Sequence, residues 1–310
     1  MRMVLPALVV LAVAAPATGA FAGPPARPAR GTFQVRAPAP AAPADPAPPP
    51  SAAATLDPYR GLGTWVSIYS RSTLADPVGA ARAMRAHGVR TLFLETANFK
   101  QRVDVVRPRT LAAMVEAAHA EGLRVVAWYL PSYADLATDL RRARAAIAFR
   151  TPAGQAFDGF ALDVEATVVR SIPARNRAAI RLARRLRAAV GPDHVLGAIV
   201  PEARALYWPG FPYAALARHF DVWLPMAYFT FRVDGPAAVR RWVGANMAAL
   251  RAMRMPIHPI GGLAERARGD EVRAYADSVR AGGAIGAGLY DFAGTSDEDW
   301  AQLGGVAAMP

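Results

Sequence analysis

The sequence contains no cysteine among its 310 residues. This absence excludes disulfide bonds, thiolate zinc sites and cysteine nucleophiles, so any chemistry depends on oxygen or imidazole groups. Histidine is scarce as well, and its five copies are scattered with no His-x-His or His-Glu-x-x-His spacing. We therefore expect no metal site and no cofactor. A Gly-x-Ser-x-Gly nucleophile elbow is also missing, which leaves a serine triad without support.

Acidic residues are outnumbered, 24 against 36 basic ones, which gives a net charge of +12 and a pI of about 10.8. Nearly all the cations are arginines spread through the predicted helices, with no basic cluster interleaved with aromatic residues. This distribution predicts a solvated surface and no nucleic-acid partner. Hydrophobic residues make up 53% of the chain, enough for one large globular domain plus a tail.

The N-terminal apolar run, from residue 4 to about residue 15, falls short of the roughly 20 residues that a permanent membrane span needs. Arg2 precedes this run, and Ala-Phe-Ala at 20–22 follows it as a small-x-small cleavage pattern. These features predict a signal peptide over residues 1–22, with an uncleaved anchor as the alternative. We expect export, no stable membrane span after cleavage, and a secreted or cell-wall-associated protein.

Residues 23–56 are mostly alanine and proline, including three consecutive prolines at 48–50. Such a stretch cannot form a packed core and predicts an extended, semi-rigid linker. The folded domain is therefore expected over residues 57–310.

From residue 63 onward, short apolar runs alternate with stretches of helical period. The runs span residues 63–69, 91–95, 124–130, 159–165, 195–200, 222–228, 257–263 and 284–291. Helices are predicted near 76–87, 108–121, 134–149, 174–190, 213–219, 236–253 and 270–281, with a short one from about residue 296. Eight such units in about 250 residues predict an α/β fold of the (β/α)8, or TIM barrel, type. A doubly wound open sheet is the alternative, although no Gly-x-Gly-x-x-Gly follows the first strand.

Polar and aromatic residues gather at the predicted strand ends, where the active sites of such barrels lie. The predicted substrate-binding residues at these ends are Glu95, Trp128, Tyr129, Glu202, Tyr290 and Asp291. Helix capping or rim salt bridges are the alternative role for Glu202, Glu265 and Asp291.

The fourth predicted strand alternates strictly over its last residues. Side chains two positions apart share a face, so Ala161, Asp163 and Glu165 point one way while their neighbours point the other. We expect both carboxylates to face the barrel lumen, about 7 Å apart along the strand. Their proximity raises the pKa of one of them and makes it a proton donor. A buried pair neutralised by arginine is the alternative.

This strand resembles that of glycoside hydrolase family 18, the chitinase family, whose motif is Asp-x-x-Asp-x-Asp-x-Glu. Asp158, Asp163 and Glu165 match the first, third and last acidic positions, while Ala161 stands at the second. That substitution removes an acid that shares a proton with its neighbour in the family.

Two further motifs are similar to those of the same family. With the order of the barrel strands, the resemblance extends over about residues 60–305. Met226-Ala227-Tyr228 is similar to the Met-x-Tyr of the sixth strand, with Phe229 where an Asp often follows. Tyr290 stands where the eighth strand usually carries a tryptophan. The chain also resembles a group of exported actinobacterial barrel proteins.

The resemblance implies an exported hydrolase of carbohydrate metabolism that cleaves an amino-sugar-containing polysaccharide, such as a cell-wall glycan. In this scheme Glu165 is the general acid, Asp163 orients the substrate's own N-acetyl group, and Tyr228 hydrogen-bonds that group. The mechanism is substrate-assisted and retaining, and it needs no enzyme nucleophile and no metal.

Two other functions remain open. In a retaining glycosidase with a different carboxylate pair, Glu165 would be the acid and Glu265 the nucleophile, about 5 Å apart. In a non-catalytic, lectin-like barrel, aromatic faces would stack on sugar rings. The aromatic residues available for stacking are Trp65, Trp128, Tyr129, Tyr207, Trp208, Trp223 and Tyr228. Among the histidines, only His258 is expected to face the lumen.

Overall fold

The structure, a computed structural model, describes residues 56–203 and 207–309. The predicted signal peptide, and the linker up to its last residue, lie outside these described residues. Within them, eight parallel strands pair in chain order and the first pairs with the last, which closes a barrel. This confirms the predicted (β/α)8 fold. No helix in these two stretches has the length and apolar character needed to cross a lipid bilayer.

The strands agree with the predicted runs to within a few residues. Their bounds are β1 (Gly61–Val66), β2 (Thr91–Asn98), β3 (Arg124–Leu130), β4 (Gly159–Asp163), β5 (Leu196–Pro201), β6 (Val222–Met226), β7 (Ile260–Leu263) and β8 (Gly286–Tyr290). The largest differences are three residues: β1 stops at Val66, β2 continues to Asn98, and β7 begins only at Ile260, after an isolated bridge between Ile257 and Trp223.

The helices surround the barrel. Their bounds are α1 (Arg71–Ala75), α2 (Pro77–Ala86), α3 (Pro108–Ala120), α4 (Leu136–Ala148), α5 (Ile172–Val190), α6 (Tyr213–Leu216), α7 (Pro236–Arg251), α8 (Gly269–Ala281), α9 (Asp297–Gln302) and α10 (Gly304–Ala307). The sequence pattern missed α1, α10 and the short 3-10 helices, because single turns carry no measurable period. The 3-10 helices span Asp57–Tyr59, Phe229–Phe231, Ala264–Arg266 and Phe292–Gly294.

The ends of α2 follow the capping chemistry of the sequence. The Asp76 carboxylate accepts a hydrogen bond from the Gly79 N–H at 2.9 Å, and Pro77 opens the helix. Gly88 follows the helix with a φ of +79°, a left-handed conformation that glycine adopts without strain.

Alternating side chains divide the core into a lumen and an outer layer between strands and helices. The lumen contains Tyr59, Trp65, Phe93, Val126, Trp128, Ala161, Ile199, Val222, Leu224, Met226 and Ile260. Trp65 stacks on Phe93 with ring centroids 4.2 Å apart. Tyr59 closes the N-terminal end by donating to the Phe160 carbonyl at 2.8 Å, and a Cβ at Gly197 would lie 2.8 Å from its ring. The lower lumen is therefore solidly filled, which places the ligand-accessible end at the C-terminal mouth.

His258 does face the lumen, but deep within it. Its side chain is fully buried and contacts the Phe93 ring edge to face, with centroids 5.0 Å apart. The Nδ1–H donates to the Tyr59 carbonyl at 2.8 Å, since a carbonyl can only accept. Burial lowers the pKa of His258 to about 4. His258 is thus a neutral core residue below the mouth.

Candidate active site

The two acidic residues of the fourth strand lie together at the mouth of the barrel. Asp163 is the last residue of β4, and Glu165 follows two positions later. Ala161 packs in the lumen whereas Phe160 and Leu162 pack in the outer layer, as strand alternation requires. Asp163 is only 5% exposed, and its Oδ1 has no hydrogen-bond partner among the described residues. A buried carboxyl oxygen aimed into the lumen is left for a ligand.

Burial controls the protonation of both carboxyl groups. It raises the pKa of Asp163 well above the usual range, and the charges of Glu165 and Glu95 raise it further. Burial also raises the pKa of Glu165 to about 6, against the opposing effect of Lys100. Because the charge of Glu165 opposes the ionisation of Asp163, the two groups do not lose their protons independently as the pH rises. The pair can therefore supply a proton to a bound substrate.

Glu95, at the end of β2, is the third carboxyl group of the mouth. Its Oε2 accepts from the Ile68 N–H and its Oε1 from the Asn98 amide, both at 3.0 Å. The Lys100 N–H donates to Asn98 Oδ1 at 3.0 Å and so directs the NH₂ group toward Glu95. Burial raises the pKa of Glu95 to about 7, and the charge of Glu165 adds to that rise.

Aromatic residues complete the mouth. Trp128 contacts Trp65 edge to face, with ring centroids 6.2 Å apart, while Tyr228 and Tyr290 pack against the same lumen cluster. Burial raises the pKa of Tyr228 well above 10, and Tyr290, Glu165 and Asp163 add to the effect. The Tyr228 hydroxyl therefore stays protonated and can donate a hydrogen bond to a ligand.

Three of the predicted binding residues either lie outside the mouth or are already bonded to other residues of the protein. Tyr129 points to the outer layer, where its hydroxyl donates to Asp139 at 2.7 Å, because its neighbour Trp128 points inward. The remaining two have partners at the rim. Glu202 forms an ion pair with Arg232 at 2.6 Å.

Asp291 has the capping role that the sequence left as an alternative. Its carboxylate accepts from the Gly294 N–H at 3.1 Å and from the Ser70 hydroxyl at 3.3 Å. Glu265 is exposed on the 3-10 helix after β7 and lies near Gly294. The mouth carboxylates are thus Glu95, Asp163 and Glu165.

Asp158, the first acidic residue of the strand motif, lies at the opposite end of β4. It accepts from His119 Nε2 and from the Val125 N–H, each at 2.8 Å, and Arg124 lies 3.3 Å away. Asp158 therefore has a structural role: its carboxylate connects the start of β4 to α3 and β3 at the N-terminal end of the barrel.

Two tyrosines near the mouth were not predicted as site residues from the sequence. Tyr69 is 47% exposed, and its hydroxyl accepts from Asn98 at 3.1 Å and from Gln101 at 3.3 Å. Tyr133 is buried, with its hydroxyl 3.5 Å from the Asp163 carbonyl. Tyr69 ends the first predicted run, so the strand-end criterion applied to Trp128 would have found it.

Among the described residues, no cluster of three or more His, Asp or Glu side chains is arranged to hold a metal ion. The mouth instead combines buried carboxyl groups with tyrosine hydroxyls. This set can exchange protons and hydrogen-bond a polar ligand.

No family model matches the chain, and no protein of curated function matches its sequence. Solved structures do match its fold. The endo-1,4-beta-mannanase from Rhizomucor miehei aligns with a TM-score of 0.63 and 10% identity, over 81% of this chain and 95% of that one.

Two chitinases give similar values. A plant class V chitinase mutant from Cycas revoluta, solved in complex with (GlcNAc)3, has a TM-score of 0.60 and 13% identity over 80% of this chain and 98% of that one. A chitinase from Bacteroides thetaiotaomicron has a TM-score of 0.59 and 13% identity over 80% and 95%. At such identities the likeness establishes the fold, which this chain shares with the TIM barrels of glycoside hydrolases.

Proposed function

We propose that the protein is a glycoside hydrolase that cleaves an amino-sugar-containing polysaccharide, with Glu165 as the general acid. One observation carries the proposal: Asp163, which is buried, and Glu165, which is half-buried, lie two residues apart at the C-terminal end of a barrel strand, and burial raises the pKa of both. This is where catalytic groups lie in TIM barrels. The fold shared with chitinases and mannanases is consistent with it.

The mechanism assigns one step to each group. Glu165 transfers its proton to the glycosidic oxygen as the bond from that oxygen to the anomeric carbon breaks. The acetamido oxygen of the substrate forms the new bond to the anomeric carbon, held in place by Asp163 and Tyr228. Water then attacks the same carbon, its proton passes to Glu165, and the acetamido group is released with net retention.

The burial of Asp163 suits this role. Its unpaired Oδ1 can engage the acetamido N–H, which would satisfy a buried oxygen that lacks a partner among the described residues. The Tyr228 hydroxyl, kept protonated by burial, can donate to the acetamido oxygen. We further propose, from the sequence of residues 1–22 alone, that the protein acts outside the cell or at its wall.

Hydrolysis assays test the proposal. Aryl glycosides, chitooligosaccharides and peptidoglycan fragments are incubated with the protein, with Glu165→Gln, and with Glu121→Gln as the control. Glu121 forms an ion pair with Arg82 at 3.3 Å between α3 and β3, at the other end of the barrel. We expect turnover that Glu165→Gln lowers by about 10² to 10⁴. Turnover that this variant leaves unchanged would overturn the assignment.

A lectin-like barrel is the second candidate, favoured by Ala161, which presents a buried methyl group where the resembled family has an acid. Glycan binding without turnover in the wild-type protein would select this function. Equal affinity of the wild type and Glu165→Gln would support it further, because a binding site does not need the acid's proton.

A further inference from the structure

Glu95 lies across the mouth from the β4 carboxylates and touches neither of them through a hydrogen bond in the described structure. It is 2% exposed, on the face of β2 that also carries Phe93 into the lumen. In the strand register Glu95 pairs with Trp128, and Trp128 pairs with Ala161. The Glu95 carboxylate thus enters the same end of the lumen as Asp163, from two strands away.

The contacts of Glu95 are those of an anion. Both of its oxygens accept hydrogen bonds, from the Ile68 N–H and the Asn98 amide, and among the described residues Glu95 donates none. The Asn98 amide cannot turn around without losing the bond from the Lys100 N–H to its oxygen. These two donors favour the charged form of Glu95, whereas burial, the larger effect, raises its pKa to about 7, so the carboxylate is charged once the pH rises above neutrality.

No cation pairs with this anion in the described residues. Arg107 donates to the Ile68 carbonyl at 2.6 Å and Arg142 to the Asn98 carbonyl at 3.2 Å, so both guanidinium groups are directed at backbone oxygens. Lys100 carries the nearest side-chain charge that favours ionisation of Glu95, and Lys100 itself is exposed. The other titratable groups facing Glu95 are Asp163, Glu165 and Tyr290.

We propose that Glu95 is a positioning residue that acts through space: the negative charge that it acquires at neutral to alkaline pH keeps a proton on the Asp163–Glu165 pair. The inference rests on the proposed function of that pair. A buried anion that is screened neither by water nor by a salt bridge acts strongly on its neighbours. Like charges at one site disfavour one another's ionisation, so a charged Glu95 holds a proton on the pair to higher pH. Glu95 needs no contact with substrate for this.

The experiment follows the carboxyl carbons of Asp and Glu by ¹³C NMR during a pH titration, which needs no substrate. Signals of the pair are assigned by their loss in Asp163→Asn and Glu165→Gln. The test variant is Glu95→Gln, which keeps the shape but removes the charge. Glu121→Gln is the matched control, since it removes the same charge at the far end of the barrel.

We expect Glu95→Gln to lower the higher of the two apparent pKa values of the pair by about 0.5–1 unit, and Glu121→Gln to move it by less than about 0.2 unit. Asn98→Ala leaves Glu95 in place but removes one donor, so we expect a smaller shift in the same direction. Glu95→Asp restores the charge and is expected to return the pKa values toward those of the wild type.

Titrations that coincide in the wild type and Glu95→Gln, or an equal shift in the control, would overturn the inference. If Glu95→Gln fails to fold by circular dichroism, the Asn98→Ala titration decides in the same way. A shifted titration in a protein with no turnover on any glycan would support the role of Glu95 while rejecting the proposed hydrolase. Where turnover exists, the basic limb of its pH profile must move to lower pH in Glu95→Gln.

Discussion

His119 Nε2 lies 2.8 Å from Asp158 Oδ2, at the end of the barrel opposite the candidate active site. The hydrogen bond that His119 donates to Asp158 raises the pKa of His119, although burial, the second-largest effect, lowers it. The first acid of the strand motif therefore binds a helix to the barrel, while the last two acids face the mouth. One eight-residue motif serves both stability and the site.

This contact predicts a pH-dependent stability. A histidine whose folded pKa is raised contributes its full stabilisation below the unfolded value of about 6.5 and loses it as the pH rises through the folded pKa. We expect Asp158→Asn to lower the free energy of unfolding by about 1–3 kcal/mol at pH 5.5 and by less at pH 8.5. Urea denaturation at both pH values measures this. Equal losses at the two pH values would contradict the assigned pair.

For His258 we predict the opposite pH dependence: stability falls as the pH is lowered. Its folded pKa of about 4 lies below the unfolded value, so the unfolded chain takes up a proton first as the pH falls below about 6.5. The contribution of His258 to stability then drops by about 2 kcal/mol between pH 7 and pH 5. His258→Gln removes this slope, while His87→Gln, at the half-buried end of α2, leaves His258 in place and is expected to retain it. Identical slopes in wild type and His258→Gln would refute the prediction.

The β4 carboxylates are expected to cost stability. Because burial raises the pKa of Asp163, the unfolded chain gives up this proton at lower pH than the folded protein, and stability falls as the pH rises above about 4. Asp163→Asn removes the penalty, so we expect it to raise the unfolding free energy at pH 7 by at least about 1 kcal/mol while turnover falls. Urea denaturation measures the gain. A less stable Asp163→Asn protein would show that the carboxyl is held by favourable contacts instead.

Asp291→Asn provides the matched comparison, because this aspartate carries capping hydrogen bonds that Asp163 lacks. Burial raises the pKa of Asp291 too, so Asp291→Asn removes a similar penalty but weakens these hydrogen bonds, and we expect stability at pH 7 to stay unchanged or to fall by up to about 1 kcal/mol. If Asp291→Asn raised the unfolding free energy as much as Asp163→Asn, the gain would come from removing one negative charge at this end of the barrel and not from the burial of Asp163.

We predict that Tyr69 contributes to glycan binding and not to the bond-breaking step. Its ring is exposed while its hydroxyl is fixed by two amide donors, so its orientation is set before a ligand arrives. We expect Tyr69→Ala to weaken the binding of a glycan ligand about fivefold, since an aromatic face contact is worth about 1 kcal/mol. Tyr69→Phe keeps the ring and most of the affinity. Calorimetric titration with chitooligosaccharides measures both, and an unchanged affinity in Tyr69→Ala would exclude the ring from the ligand site.

The sequence by itself determined the barrel. Each strand and each longer helix leaves a local pattern: apolar runs, helical period, an Asp76-Pro77 start and glycines at helix ends. Alternation along β4 also determined the facing of Asp163, because orientation within a strand depends only on sequence spacing, whereas Glu165 lies in the turn after the strand. The same rule, applied to β3, places Trp128 in the lumen and the adjacent Tyr129 in the outer layer, where its hydroxyl donates to Asp139.

Only the tertiary structure decided which strand-end residues act together. Glu95 and Asp163 are 68 positions apart by number and reach one lumen because the sheet closes on itself. The engagement of Glu202 by Arg232, and of Asp291 by Ser70, likewise depends on loops whose paths no local period describes. Burial, which sets the pKa of every carboxyl at the mouth, is a property of the closed barrel and of no segment alone.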